Sequence, residues 1–344
     1  MKNSTPHILI IKDEPDISKL LENNLETAWY NKGRKKMRKL KALLILTVLL
    51  FTVAFSESKI SGKVFFNHSS DLNKKGFNAF NMKRAYLTLD NAISESISYK
   101  VTYDMGKNDI GSAHTAFLKV AMVKWKTTLG DVSIGMQGMN MFKTMENTWG
   151  HRFIDKMPMD VYKFWSFADL GIGLSKTFGS ISSSALITNG GGYKKEELDS
   201  HKKLSVHVVY GESKLNKSDG FNGGISLSTE PYDKDSLNTE NTNVVGIFAG
   251  YAGNGFRGGF EFDIKKQENI SGQIFSIYWT YKINNKLSVL ARLDQADEDI
   301  SDNNGVQALI IGLHYNAAEG LSIAPTIRFK DTEGSIILNF EFKF

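Results

Sequence analysis

The last ten residues, Ser335-Ile336-Ile337-Leu338-Asn339-Phe340-Glu341-Phe342-Lys343-Phe344, alternate almost without a break. Ile336, Leu338, Phe340, Phe342 and Phe344 fall on one face. Ile337, Asn339, Glu341 and Lys343 fall on the other. Successive side chains of a strand point to opposite sides of a sheet, so a period of two means a strand. The pattern recurs upstream. Phe275, Ile277, Trp279 and Tyr281 oppose Ser276, Tyr278, Thr280 and Lys282. Leu287, Val289, Ala291 and Leu293 oppose Ser288, Arg292 and Asp294. Ile97, Tyr99, Val101 and Tyr103 oppose Ser98, Lys100, Thr102 and Asp104, and Phe260, Phe262 and Ile264 oppose Glu261, Asp263 and Lys265.

A soluble sandwich turns such an apolar face inward, whereas a membrane barrel turns it outward to lipid and lines water with the polar face. Three features favour the barrel. The alternating segments are about 9 to 12 residues, enough to cross a bilayer with tilt. Their polar faces are strongly charged. Aromatic residues recur at one end of alternate segments, at Trp125, Tyr210, Tyr251, Tyr281, Tyr315 and Phe344, beside short turns such as Gly253-Asn254-Gly255 and Asn284-Asn285. That is the layout of an interfacial girdle. Abundant Gly (30) with few Pro (5) suits tight antiparallel turns.

The predicted strands lie near 58–67, 79–90, 95–105, 113–126, 131–142, 164–177, 181–189, 202–212, 221–229, 243–252, 256–266, 272–283, 286–296, 305–316, 320–330 and 335–344. The fold class is therefore all-β, a transmembrane antiparallel β-barrel of sixteen strands, with fourteen or eighteen as alternatives. Long polar connections follow odd strands and short ones follow even strands, which is the outer-membrane arrangement. Ser213–Gly220 is long for a short-side turn, and Pro325, which cannot donate to a ladder, predicts a bulge.

Upstream, Met37–Ser56 reads MRKLKALLILTVLLFTVAFS. A basic head, a 14-residue apolar run and Ala54-Phe55-Ser56 make a secretory signal peptide, shorter than a membrane span. Residues 1–56 hold ten of the 42 Lys/Arg and five of the 37 Asp/Glu, so 57–344 carries 32 of each. The net charge of +5 thus resides in the segment expected to be removed, and it gives no argument for a nucleic-acid partner. Cysteine is absent, which excludes a disulfide framework and thiolate chemistry.

His7–Glu26, HILIIKDEPDISKLLENNLE, reads as strand, turn and amphipathic helix, and resembles the opening of a response-regulator receiver domain. Asp13 matches one of that family's acidic pair, but Lys12 stands where another carboxylate is usual. A single strand and helix cannot bury a core. Residues 1–36 are accordingly expected to be a fused fragment or a start assigned too early.

Residues 57–344 resemble the bacterial outer-membrane porins, and more closely the phosphate-selective porin type. The likeness rests on Lys83-Arg84-Ala85-Tyr86-Leu87, Gly135-Met136-Gln137, Trp149-Gly150-His151-Arg152 through Lys156, Asn189-Gly190-Gly191-Gly192-Tyr193 and the terminal Phe344. It implies a passive channel for small hydrophilic solutes or ions, phosphate among them, in the outer membrane of a Gram-negative cell. It also implies a homotrimer contacting lipid and lipopolysaccharide, and assembly by the barrel assembly machinery with Phe344 as the signal. A non-conducting structural or adhesive barrel is the alternative.

The longest connection, Lys143 to Lys163, is the third on its side, where porins of sixteen strands fold a loop into the lumen. Its Arg152, Asp155, Lys156, Asp160 and Lys163 are the expected constriction residues, with Glu146 nearby. The wall is expected to offer Lys63, Arg84, Lys100, Lys119, Arg257, Arg292 and Arg328, with Asp104, Glu261, Asp263 and Asp294 among them. A phosphate site calls for an uncompensated Arg/Lys ladder. Interleaved acids point instead to a weakly selective channel. No enzyme and no cofactor is expected: the seven histidines form no metal-ligand spacing, and Ser205 and His207 share a face that reads as lumenal, not as the lipid-side pair a barrel lipase would need. Asp297-Glu298-Asp299 with Asp302 could attract calcium or simply be a solvated loop.

Overall fold

The structure, a computed structural model, describes residues 58–73, 78–106, 114–302 and 304–344. The receiver-like segment 1–36 and the signal peptide 37–56 lie outside the described residues. Among those described, the strands are β1 (Lys59–Asp71), β2 (Asn78–Ala92), β3 (Ile97–Gly106), β4 (Thr115–Lys126), β5 (Asp131–Gly138), β6 (Ala168–Phe178), β7 (Ile181–Thr188) and β8 (Lys203–Gly211). They continue as β9 (Gly220–Asp233), β10 (Thr239–Gly253), β11 (Phe256–Gln267), β12 (Ile270–Lys282), β13 (Leu287–Asp297), β14 (Val306–Ala318), β15 (Leu321–Lys330) and β16 (Glu333–Lys343). Each pairs antiparallel with the next, and β16 pairs with β1 to close a sixteen-stranded barrel. The seam runs from Lys63↔Lys343 to Asp71↔Ser335. Beyond it Gly62 and Phe344 exchange backbone hydrogen bonds of 2.9 and 3.2 Å. Closure leaves no free edge, the condition for strands in lipid.

The outer face is apolar. On β12, Phe275, Ile277, Trp279 and Tyr281 are exposed, whereas Ile274, Ser276, Tyr278 and Thr280 are buried. Similar outward residues recur around the wall, a belt that water solvates poorly and a bilayer solvates well. The aromatic rim is present: Trp125, Tyr210, Tyr251, Tyr281, Tyr315 and Phe344 are all exposed. Among the described residues no helix is long and apolar enough to span a membrane.

Three sequence expectations change. The fifth strand stops at Gly138 and the sixth starts at Ala168, not at 142 and 164. Met139, Met141, Phe142, Phe164 and Trp165 look strand-like because they are apolar, yet they are buried inside the barrel as part of the inserted loop. Pro325 makes no bulge. It pairs in register with Leu338 on β16, and the β14 ladder skips from Gly312↔Thr326 to Tyr315↔Ile323 with its register intact. Asn339 donates its side-chain amide to the neighbouring Ala324 carbonyl at 3.2 Å. The long turn between β8 and β9 folds inward. Leu215 is buried, and the Ser213 carbonyl accepts a 3.0 Å hydrogen bond from Asn147 of the inserted loop.

Candidate pore constriction

The loop from Met139 to Phe167 enters the barrel and carries two short helices, α1 (Lys143–Trp149) and α2 (Pro158–Val161). Gly150, at φ 72°, ends α1 and donates its N–H to the Glu146 carbonyl, a left-handed cap that glycine adopts without strain. Why the loop stays inside follows from its composition. Met141, Met145, Trp149, Phe153, Met157 and Met159 are buried against inward apolar wall residues, including Val244, Phe248, Ile274, Tyr278, Leu290 and Ile310. Flexible methionines fill the irregular gap between helix and sheet. The inner wall is therefore two-faced. The sector from β8 to β15 carries most of the apolar partners of the loop. The sector around β16 and β1 to β5 carries Lys63, Lys100, Lys124 and Asp131, all at least partly exposed.

Charges anchor the same loop at four places. Lys83 Nζ donates to the Ile154 carbonyl at 2.7 Å. Arg257 Nη2 donates to the Trp149 carbonyl at 3.1 Å. Arg292 donates to the Lys156 carbonyl and holds Asp294 through Nε at 2.8 Å and Nη2 at 2.6 Å. Arg328 forms an ion pair with Asp155. Within the loop, Lys156 pairs with Asp160 at 2.7 Å, Lys143 with Glu146 at 2.7 Å, and Arg152 with Glu146 at 3.3 Å and Asp160 at 4.0 Å. Burial works against ionisation of Glu146, but Lys143 and Arg152 beside it outweigh that and hold its carboxyl below the ordinary carboxylate value. His151 is buried against Thr280 (2.7 Å) with Arg257 at 3.4 Å. Burial, and next the Arg257 charge, push its pKa well below 6.5, so it is neutral.

The expected residues thus divide. Arg152, Asp155, Lys156 and Asp160 come together on the loop. Lys163 is exposed where the loop leaves α2 and forms no ion pair among the described residues. Of the wall cations, Arg257, Arg292 and Arg328 are turned to the loop. Arg84 and Lys119 share Asp104 at 3.5 and 3.3 Å, and Lys119 also sits over the rings of Phe167 (3.9 Å) and Tyr86 (4.5 Å). Lys63 and Lys100 remain exposed. Phe344 lies at the closing seam.

Two β-bulges explain the positions of Lys83 and Lys119. Phe65 pairs with Arg84 and Phe66 with Met82, leaving Lys83 as an extra residue. Thr102 pairs with Val120 and Tyr103 with Leu118, leaving Lys119 extra. A bulge re-aims a side chain. Strict alternation therefore hides Lys83, which is missing from the predicted wall. The adjacent cations Lys83-Arg84 in an alternating strand are the signal that marks it.

The Ser–His candidate is not a pair. Ser205 donates to Asn140 at 2.8 Å, and His207 reaches Thr144 at 2.9 Å and Ser226 at 2.8 Å. Among the described residues no group of three or more His, Asp or Glu is spaced for a metal ion. In the acidic loop, Asp297 and Asp299 accept hydrogen bonds from backbone amides two residues on.

The architecture defined here is a closed sixteen-stranded barrel with a loop folded into its lumen. No protein-family model and no curated protein sequence matches the chain. Its fold is similar to those of solved outer-membrane barrels. The anion-selective porin from Comamonas acidovorans matches with a TM-score of 0.63 at 10% identity, over 84% of this chain and 99% of that one. OmpF of Salmonella typhi, in complex with daunomycin, gives 0.61 at 12% identity over 83% and 97%. The trimer form of OmpT from Vibrio cholerae gives 0.59 at 10% identity over 84% and 99%. At such identities the likeness shows the shared fold.

Proposed function

We propose that the protein is an outer-membrane porin for passive diffusion of small hydrophilic solutes and ions, with a mild preference for anions. The observation that carries the preference is an asymmetry of exposure. Charge in 57–344 sums to zero, but in the ion pairs made by the loop's own acids, Glu146, Asp155 and Asp160, the base is the more exposed partner. On the wall, Arg292 with Asp294 (0% and 2%) and Lys203 with Glu230 (8% and 28%) run the other way. Side-chain exposure is 58% for Lys143 against 9% for Glu146 and 31% for Lys156 against 11% for Asp160, and on the wall strand β16 it is 49% for Lys343 against 8% for Glu341. Arg328 and Asp155 follow suit at 29% and 12%. Lys63, directly across from Lys343 in the ladder, is exposed and has no ion-pair partner among the described residues. A passing ion meets the exposed group first, so the field in the water is more positive than the sum of charges.

Small anions such as phosphate are admitted by this field without a dedicated phosphate site. The fold likeness to an anion-selective porin and to a trimeric barrel supports the same reading, including a homotrimer in a Gram-negative outer membrane. Arg152, Asp155, Lys156, Asp160 and Lys163 form the constriction, and Phe344 serves as the assembly signal. Reversal potentials across a potassium chloride gradient test the preference. A potential displaced toward that of chloride is expected. One displaced toward potassium rejects the anion preference.

A further inference from the structure

We propose that Glu261, Asp263 and Tyr278 form a cation site between the barrel wall and the inserted loop, for a hard, oxygen-liganded divalent ion of the calcium class. Both carboxylates are 0% exposed, and none of their four oxygens has a hydrogen-bond donor among the described residues. Other lumenal acids differ: Asp104 holds Arg84 and Lys119, and Asp294 holds Arg292 and Ser276. Arg292, a cation near Glu261, is already bound to Asp294 and the Lys156 carbonyl. Tyr278 supplies an independent observation. It is 1% exposed, its hydroxyl has no partner among the described residues, and it pairs with Gly259, two residues before Glu261 on the neighbouring β11.

The cradle is built from both sides. Glu261 and Asp263 are two residues apart on the inward face of β11, so their side chains share one side of the strand. Gly246 lies across from Asp263 on β10. A Cβ there would stand 2.4 Å from Asp263 Oδ1 and 2.8 Å from the methyl of Met159, so glycine makes room for the carboxylate while α2 covers it. Five oxygens with one hydrogen among them, the phenolic one, cannot satisfy each other. A buried carboxylate pair needs a counter-charge or protons. A hard divalent ion accepts two carboxylates and neutral oxygens and lets water complete its shell. The ion would cross-link β11 to β12 beneath the loop, whether or not the barrel conducts.

Terbium luminescence tests this on the full protein purified in detergent and stripped with a chelator. Tyr278 and Trp149, whose rings lie 5.9 Å apart, are the sensitising chromophores. Excitation of these rings is expected to give terbium emission that calcium displaces. Glu261→Gln and Asp263→Asn should lose it while retaining heat-modifiable gel mobility, the sign of a folded barrel. The double variant Asp297→Asn, Asp299→Asn in the surface loop should keep it. No emission from the unaltered protein overturns the site. So does emission that survives in folded Asp263→Asn and disappears in the surface-loop variant.

Discussion

Lys83 leaves the ladder of β2 at a bulge and donates to the Ile154 carbonyl, 2.7 Å away on the inserted loop. An irregularity in the wall thus becomes a fastening for the element that narrows the lumen. Lys83→Met keeps most of the aliphatic stem and removes the donor. A hydrogen bond from a charged group contributes about 1.5–3 kcal/mol. We predict that single-channel current in this variant becomes noisier and flickers, with the barrel still heat-modifiable. Current as quiet as in the unaltered protein would remove Lys83 from the anchoring set.

Trp149 is 1% exposed and stacks edge-on to Tyr278 at 5.9 Å, at the end of α1. Truncating a large buried aromatic side chain costs about 3–5 kcal/mol. Trp149→Ala should therefore release the loop without opening the barrel. The expected readout is cleavage of the 143–163 segment by external protease in the variant and resistance in the parent. Equal resistance would show that the apolar packing is dispensable.

Lys63→Glu inverts an exposed base that lacks an ion-pair partner among the described residues. The reversal potential in a salt gradient should shift toward the potassium potential, and the shift should shrink in molar salt as screening shortens to about 3 Å. A potential unmoved by the substitution would place the selecting charges elsewhere.

His151 gives a pH dependence whose sign is fixed. In the anchored loop burial and Arg257 keep it neutral, with its pKa well below 6.5. A released loop takes up a proton near the ordinary value of 6.5. The released state therefore binds more protons, so anchoring is complete above that pH and is lost progressively as pH falls below it. Protease nicking of the loop, followed from pH 7 downward, should increase in the parent and flatten in His151→Gln. Nicking that declines on acidification would contradict the assignment.

The barrel was legible in the sequence because alternation is local. Ser335–Phe344 and 272–283 declare both faces without reference to any other strand, and the short turns set the count. The inserted loop was legible in position but not in extent. Met139, Met141 and Trp165 are apolar, and a sequence cannot say whether an apolar residue meets lipid or a lumenal plug. Charges were legible as inward but not by role. Arg292 and Lys63 read alike, yet one is buried under the loop and the other faces water. That difference arises only when distant strands close a ring around residues 139–167. Glu261 and Asp263 likewise read as ordinary lumenal acids until both are seen to be fully buried, with Met159 and Asp263 meeting over Gly246.

The central claim is that water and ions pass through this barrel beside the anchored loop. Single-channel recording of the protein in planar bilayers tests it most directly. Discrete, nearly ohmic conductance steps that grow with salt concentration are the predicted result, with reversal on the chloride side of zero in a potassium chloride gradient. Heat-modifiable, correctly folded protein that gives no steps would contradict it and leave a non-conducting barrel.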